Sequence, residues 1–167
     1  LSFATSTLIA QATSLYTNES EPLEHVAAYG DFGISFKLNA DINVTELNFF
    51  AHSLGGGDTP YVQLWNDDED TLLATATWSA GDLEAGWNAH KLKKAITLKR
   101  GVTYQIQSSA YWVPTYIKRE FLFNEVVESS KFYQNDGWTD WSAPTTPSSG
   151  SLMKDPAAMV NLTFEAE

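Results

Sequence analysis

With 167 residues, the chain is long enough for one domain with a substantial core, and its 13% aromatic content is too high for an intrinsically disordered protein. Ten Lys and Arg against 21 Asp and Glu give a net charge of −11, which disfavours nucleic acid and anionic membrane surfaces as partners. The sequence has no cysteine, which excludes disulfides, thiolate catalysis and cysteine-ligated zinc, and no apolar run as long as a membrane-spanning helix.

Apolar and polar side chains alternate in short segments along most of the chain, which is the pattern of half-buried β-strands. In chain order, the clearest alternation covers residues 34–38, 45–51, 61–65, 102–107 and 160–165. Further strands are predicted at residues 3–11, 71–79, 87–92, 119–124 and 130–134. The total of about nine or ten short strands favours a sandwich over an open sheet.

The connections between these segments are rich in turn-forming residues. An acidic turn covers residues 66–70, glycine breaks occur at residues 79–86 and 99–102, and a glycine-rich loop covers residues 53–60. The one candidate helical turn covers residues 22–28 and would end at Gly30. We therefore predict an all-β fold, a two-sheet antiparallel β-sandwich with jelly-roll or Greek-key connections, forming a single domain over residues 1–167.

Residues 34–110 resemble a known family of β-sandwich domains. An aromatic strand is followed by "LW", "LLATAT", "GW" and "GVTY" strands, in the order that the family shows. The family is appended to bacterial secreted enzymes, surface proteins and phage tail components, and its members resemble carbohydrate-binding or adhesive modules. The resemblance implies a non-catalytic module that recognises a glycan.

This resemblance also sets expectations for context. Because the chain begins at Leu1, we expect a domain excised from a larger protein that is extracellular, on a cell surface or in a virion tail. The expected partners are a glycan and the other domains of that protein. Since the net charge is negative, a neutral polysaccharide is the expected ligand. The alternative is a structural or protein-interaction domain, such as a tail decoration or an adhesin spacer.

The sequence lacks a clear catalytic constellation. Its three histidines are scattered, and no G-x-S-x-G nucleophile motif occurs. Carboxylates that could form a glycosidase pair are present, but acidic residues are so abundant that such a set is expected by chance; they are Glu120, Glu125, Glu128, Asp136 and Asp140. We predict that the protein is not an enzyme, with a glycosidase or lyase as the remaining catalytic alternative.

The acidic turn at residues 66–70 raises the possibility of a structural calcium ion, because Ca²⁺ takes six to eight oxygen ligands. The spacing does not match an EF-hand loop. A solvated hairpin turn that also discourages edge-to-edge strand pairing explains the same residues. We therefore predict no cofactor and no metal ligands.

Two aromatic segments have the composition of a sugar site, in which the C–H face of a sugar packs on an aromatic ring and polar side chains bind its hydroxyl groups. The first lies at residues 108–120 and the second at residues 132–141. The candidate ligand-binding residues are Tyr111, Trp112, Tyr116, Arg119, Asn135, Asp136, Trp138, Asp140 and Trp141.

Aromatic residues also fill cores, so each Trp has a second interpretation. Trp65, Trp78 and Trp87 lie in predicted strands, where core or sandwich-edge packing is the preferred reading. Trp138 and Trp141 could instead fold a long loop against the sheet.

Overall fold

The computed structural model describes residues 12–17, 24–26, 30–51, 60–110, 115–117, 121–135, 151–152 and 160–166. Across these ranges the protein is all-β and antiparallel, apart from one short 3-10 turn at Ala80–Asp82. The strands are β1 (Thr13–Ser14), β2 (Glu24–Val26), β3 (Gly30–Leu38), β4 (Ile42–Ala51), β5 (Tyr61–Asn66), β6 (Thr71–Thr77), β7 (Gly86–Leu98), β8 (Thr103–Ala110), β9 (Thr115–Ile117), β10 (Val127–Asn135), β11 (Ser151–Leu152) and β12 (Val160–Ala166).

Two sheets contain most of the strands. The four-stranded sheet has the order β1-β12-β4-β7. The six-stranded sheet has the order β11-β10-β3-β8-β5-β6, in which the two-residue β11 extends β10 at the edge. A separate two-stranded ribbon pairs β2 with β9. The predicted two-sheet antiparallel β-sandwich is therefore confirmed.

The core lies between the two sheets. Leu47 and Phe49 of the four-stranded sheet and Ile34 and Leu64 of the six-stranded sheet belong to one buried cluster. Each of these residues belongs to a period-two segment of the sequence, so the predicted inward faces are correct at these positions. Burial of such side chains supplies the main favourable free energy of folding, about 1.5–3 kcal/mol for each large aliphatic or aromatic side chain.

Consecutive strands cross repeatedly between the sheets. Among the strands of six or more residues that the structure describes, only β5 and β6 form a hairpin. The connections from β3 to β4, from β4 to β5 and from β7 to β8 all change sheet, as in jelly-roll sandwiches. No helix within the described ranges is long and apolar enough to span a membrane.

Two local predictions are wrong. A helical turn was predicted at residues 22–28, but Glu24–Val26 form an extended strand that pairs with Thr115–Ile117. Pairing with a segment distant in sequence overrides the weak local helical preference. A strand was predicted at residues 119–124, but Phe121–Asn124 is irregular except for one bridge between Tyr16 and Phe123. The strand predicted at residues 3–11 lies outside the described residues.

Candidate functional site

Most of the predicted ligand-binding residues lie outside the part of the chain that the structure describes. These residues are Tyr111, Trp112, Arg119, Asp136, Trp138, Asp140 and Trp141. The structure places the backbone of the other two, with Tyr116 in β9 and Asn135 at the end of β10. The described strands therefore define where the two aromatic segments begin.

The strands in which the two aromatic segments begin, β8 and β10, end beside each other. Asp31 in β3 pairs with Ser109 in β8 on one side and with Asn135 in β10 on the other. Because neighbouring strands lie about 4.8 Å apart, Ser109 and Asn135 are separated by about 10 Å. Residue 111 follows β8 directly and residue 136 follows β10 directly, so both segments leave the same end of the same sheet.

The ribbon of β2 and β9 is attached to this same end. Tyr116 pairs with His25 at the centre of the ribbon. Val26 lies four positions before Gly30, the first residue of β3, and Thr115 lies five positions after Ala110, the last residue of β8. Each connection can span at most about 3.6 Å per residue, so the backbone of Tyr116 lies within about 20 Å of the sheet end.

Further strand ends complete this side of the six-stranded sheet. Tyr61, the first residue of β5, pairs with Ser109 and also with Thr77, the last residue of β6. The end of the sheet therefore contains the starts of β3 and β5 and the ends of β6, β8 and β10. We call this set of strand termini the segment end of the sandwich.

The opposite end of the sandwich is closed by short turns. Asp41 accepts hydrogen bonds from the Arg100 backbone N–H at 2.8 Å and from Lys99 Nζ at 3.1 Å. The Arg100 hydrogen bond, followed by that of Lys99, lowers the pKa of the Asp41 carboxyl group. Gly101 makes the tight turn possible with a φ of 78°, which side chains rarely adopt. This end is thus tied together by its own backbone and polar groups.

The acidic turn also uses its oxygen atoms within the fold. Asn66 Oδ1 accepts a hydrogen bond from the Glu69 N–H at 3.1 Å, and Asp68 Oδ2 accepts one from the Thr103 N–H at 2.9 Å. Burial, with repulsion from Asp70 and Asp68, raises the pKa of the Asp67 carboxyl group. In the described ranges, no group of three or more His, Asp or Glu side chains is arranged to hold a metal ion. The geometry is that of a hydrogen-bonded hairpin turn.

Three buried glutamine side chains lie on the outer face of β5 and β8 in the six-stranded sheet. Gln63, Gln105 and Gln107 are at most 1% exposed, although they alternate with core-facing residues. Gln107 Nε2 donates a hydrogen bond to Gln63 Oε1 at 2.9 Å, and the indole N–H of Trp65 donates to the same oxygen at 3.2 Å. The sequence did not predict this burial, because alternation of apolar and polar residues predicts a polar face that is exposed to solvent. The available signal was that the polar residues at these outward positions are uncharged glutamines.

The tryptophans in strands follow the packing interpretation. Trp65 and Trp78 are buried, at 3% and 8% exposure. Trp87 is only half-buried and packs against the edge of the core. His90 places its ring 5.8 Å from that of Trp78, on the core side of β7.

The structure describes two of the five candidate glycosidase carboxylates, Glu125 and Glu128. Glu120, Asp136 and Asp140 lie outside the described residues. Glu125 and Glu128 are exposed near the start of β10, whereas Asn135 is its last residue. Glu128 lies seven positions before Asn135, about 23 Å along the strand. The two carboxylates of a glycosidase lie roughly 5–9.5 Å apart, so Glu128 is too far away to form such a pair with a group beside Asn135.

Comparison with known proteins identifies the family. No curated protein matches the chain. The family model for a domain of unknown function, DUF4082, matches residues 17–150, which include both aromatic segments and every strand from β2 to β10. Because this match covers most of its length, the chain belongs to the DUF4082 family.

Proposed function

We propose that this domain is a non-catalytic carbohydrate-binding module that anchors a larger secreted, surface or phage-tail protein to a glycan. The ligand site lies at the segment end of the sandwich. One observation carries the proposal: Ser109 and Asn135 pair with the same residue, Asp31, so the two aromatic segments leave one sheet about 10 Å apart.

This spacing suits a ligand of a few sugar rings. Tyr111 and Trp112 follow β8 at once, and Asp136 follows β10 at once, with Trp138 and Trp141 a few positions further along. One segment therefore supplies aromatic rings and the other supplies both rings and polar groups. Sugar recognition needs this combination, because the C–H face of a sugar packs on a ring while directional hydrogen bonds select its hydroxyl groups.

The scaffold beneath the proposed site is rigid. Strand β3 pairs with β8 from Gly30 to Lys37 and with β10 from Asp31 to Leu38, so both neighbouring strands are held along nearly their whole length. A fixed base lowers the entropic cost of ordering the binding residues when the ligand arrives.

The charge of the chain favours a neutral glycan. With a net charge of −11, the protein as a whole offers a polyanionic polysaccharide no electrostatic attraction. Binding at one shallow site is expected to be weak, and several copies of the parent protein would raise the apparent affinity through avidity.

Affinity electrophoresis in gels containing neutral glucan, mannan or galactan tests the proposal. The wild-type domain is expected to be retarded by at least one of these polymers, and Trp138→Ala or Trp141→Ala should restore its mobility. Leu72→Ala is the matched control, because Leu72 is an exposed apolar residue beside the acidic turn at the opposite end. Absence of retardation in every gel, together with loss of oligomers in the tryptophan variants, would support the structural-domain alternative instead.

A further inference from the structure

One face of β7 combines an aromatic ring with several lysines. Asn88 is buried and His90 packs on Trp78, so these alternate positions point toward the core. Trp87, Ala89 and Lys91 alternate with them and lie on the opposite face of the strand, where Trp87 is half-buried at the edge of the core; Ala89 and Lys91 are exposed, as is Lys93 in the irregular stretch that follows. We call this set the outer β7 face: Trp87, Ala89, Lys91 and Lys93.

The aromatic end of the outer β7 face is held in place by neighbouring rings. The Trp87 ring lies 5.5 Å from that of Phe50, nearly edge-on, and 6.2 Å from that of Tyr16. Tyr16 is buried, and its hydroxyl group donates a hydrogen bond to the Val160 carbonyl oxygen at 2.9 Å. Trp87 is therefore a half-buried indole in a fixed position, and the part of it that remains accessible to solvent is suited to contact with a sugar ring.

The other end carries a local excess of positive charge. Residues 91–100 contain five of the ten basic residues of the chain. Lys99 pairs with Asp41 at 3.1 Å, and no other ion pair occurs among the described residues. Lys91, Lys93 and Lys94 are all exposed. A basic surface thus exists on a protein whose overall charge is strongly negative.

A wide bulge displays these lysines at the sheet edge. Val44 pairs with Ile96 and Glu46 with Lys91, which leaves residues 92–95 opposite the single residue Thr45. Lys93 and Lys94 consequently have no register partner in β4, and Glu46 is the only acidic partner of the set. Lysines and bulges also prevent edge strands from pairing, but that role does not require a fixed indole on the same face.

We propose that the outer β7 face binds an acidic oligosaccharide, with Trp87 packing against a sugar ring and Lys91 and Lys93 binding uronate carboxylates. Trp87 and Lys91 are four residues apart, about 13 Å along the strand, which is enough for an oligosaccharide rather than one sugar. The exposed Ala89 leaves room between them. Local positive charge selects the acid despite the net charge, because screening limits long-range repulsion to about 8 Å at physiological ionic strength.

The residues of this surface differ from those of the neutral-glycan site, and a different probe tests each proposal, so the failure of one can be told from the failure of the other. The probe is trigalacturonate, with its methyl ester as a neutral partner of the same sugar. Titration calorimetry should show binding of the acid, weaker binding of the ester, and a loss of affinity as salt is raised. Lys91→Gln should weaken acid binding about three- to tenfold. Lys131→Gln, which removes one exposed lysine from β10 of the other sheet, is the matched control and should leave it unchanged.

Ala89→Glu provides a second variant that leaves Trp87 and its packing intact. It places a carboxylate between the indole and Lys91 and should reduce acid binding further than Lys91→Gln. Trp138→Ala should bind the acid as the wild type does. The proposal is overturned if acid and ester bind equally, if neither binds, or if Lys131→Gln weakens binding as much as Lys91→Gln.

Discussion

Ser109 and Asn135 share one register partner, Asp31, and so lie on either side of β3 at the same level of the sheet. Strands β8 and β10 consequently run in the same direction and end together. The ends of two strands that are separate in sequence are therefore neighbours, as the proposed site requires. The opposite end, closed by the turns around Asp41 and Asp68, offers no comparable set of aromatic residues in the described ranges.

Gly101→Ala should destabilise the protein by about 1–2 kcal/mol, because Gly101 has a φ of 78° that an L side chain adopts only with strain. Urea denaturation measures the change. Gly81→Ala is the matched control: both glycines have open space where a Cβ would be placed, but Gly81 lies in the 3-10 turn without a positive φ. Equal stability of the two variants would show that the turn at Gly101 is not strained by a side chain.

Ser108→Ala should stabilise the protein by about 1 kcal/mol and raise the Tm by about 3 °C. The Ser108 side chain is fully buried, and its Oγ has no hydrogen-bond partner within the described structure. Removing the hydroxyl group removes the cost of an unsatisfied polar group. Thermal unfolding followed by circular dichroism checks this, with the exposed Ser129→Ala as a control that should change little. A lower Tm for Ser108→Ala would mean that the hydroxyl group forms a stabilising hydrogen bond.

Asn161→Asp should cost at least about 2 kcal/mol of folding free energy. Asn161 is fully buried; its Oδ1 accepts from the Leu15 and Leu162 N–H groups, and its Nδ2 donates to the Tyr16 carbonyl oxygen at 3.1 Å. A carboxylate keeps the first two contacts but turns the third into repulsion between two oxygens.

Asn43→Asp is the matched control for this substitution. Asn43 is half-buried, and its Oδ1 only accepts a hydrogen bond, from Thr97 Oγ1 at 2.7 Å, which a carboxylate can also do. Chemical denaturation should therefore show a large loss for Asn161→Asp and a small one for Asn43→Asp. Similar losses would contradict the assignment of the Nδ2 donor.

In the Asp41→Asn variant, the free energy of unfolding should fall less steeply as the pH is lowered into the acid range. The pKa of Asp41 is lowered from its ordinary value of 3.8, mainly by the Arg100 N–H and then by Lys99. A carboxylate with a lowered pKa contributes stability above the unfolded-state pKa and loses it as pH falls through the folded-state pKa. The urea midpoint of the wild type should thus exceed that of the variant at neutral pH, and the two midpoints should converge as the pH falls below about 4. Lys99→Gln should lose stability in acid less steeply than the wild type and more steeply than Asp41→Asn. If Asp41→Asn lost stability with falling pH as steeply as the wild type, the prediction would be contradicted.

The strands were predictable where period two is visible over several residues. Residues such as Leu47 and Phe49 show the inward face locally, and the sheet confirms it. The strand Glu24–Val26 could not be predicted, because three residues are too few for periodicity and its partner is Thr115–Ile117. The burial of Gln105 could not be predicted from the local sequence either, because the alternation of polar and apolar residues does not show whether the polar face of a strand is covered.

The candidate site was predictable in composition but not in arrangement. The sequence places Trp112 and Trp138 in segments that combine aromatic and polar residues, but only the order β10-β3-β8 and the register at Asp31 show that β8 and β10 end side by side. The bulge that displays Lys93 was likewise hidden, because residues 92–95 continue the strand and only pairing with β4 shows their excess length.

An amide NMR titration with neutral glucose, mannose and galactose oligosaccharides tests the central claim most directly. We expect one of them to shift the amide signals of Ala110 and Asn135, which border the aromatic segments, and to leave those of Gly101 and Val102 at the far end unchanged. Shifts confined to Gly101 and Val102, or no shift with any neutral oligosaccharide, would contradict a glycan site at the segment end.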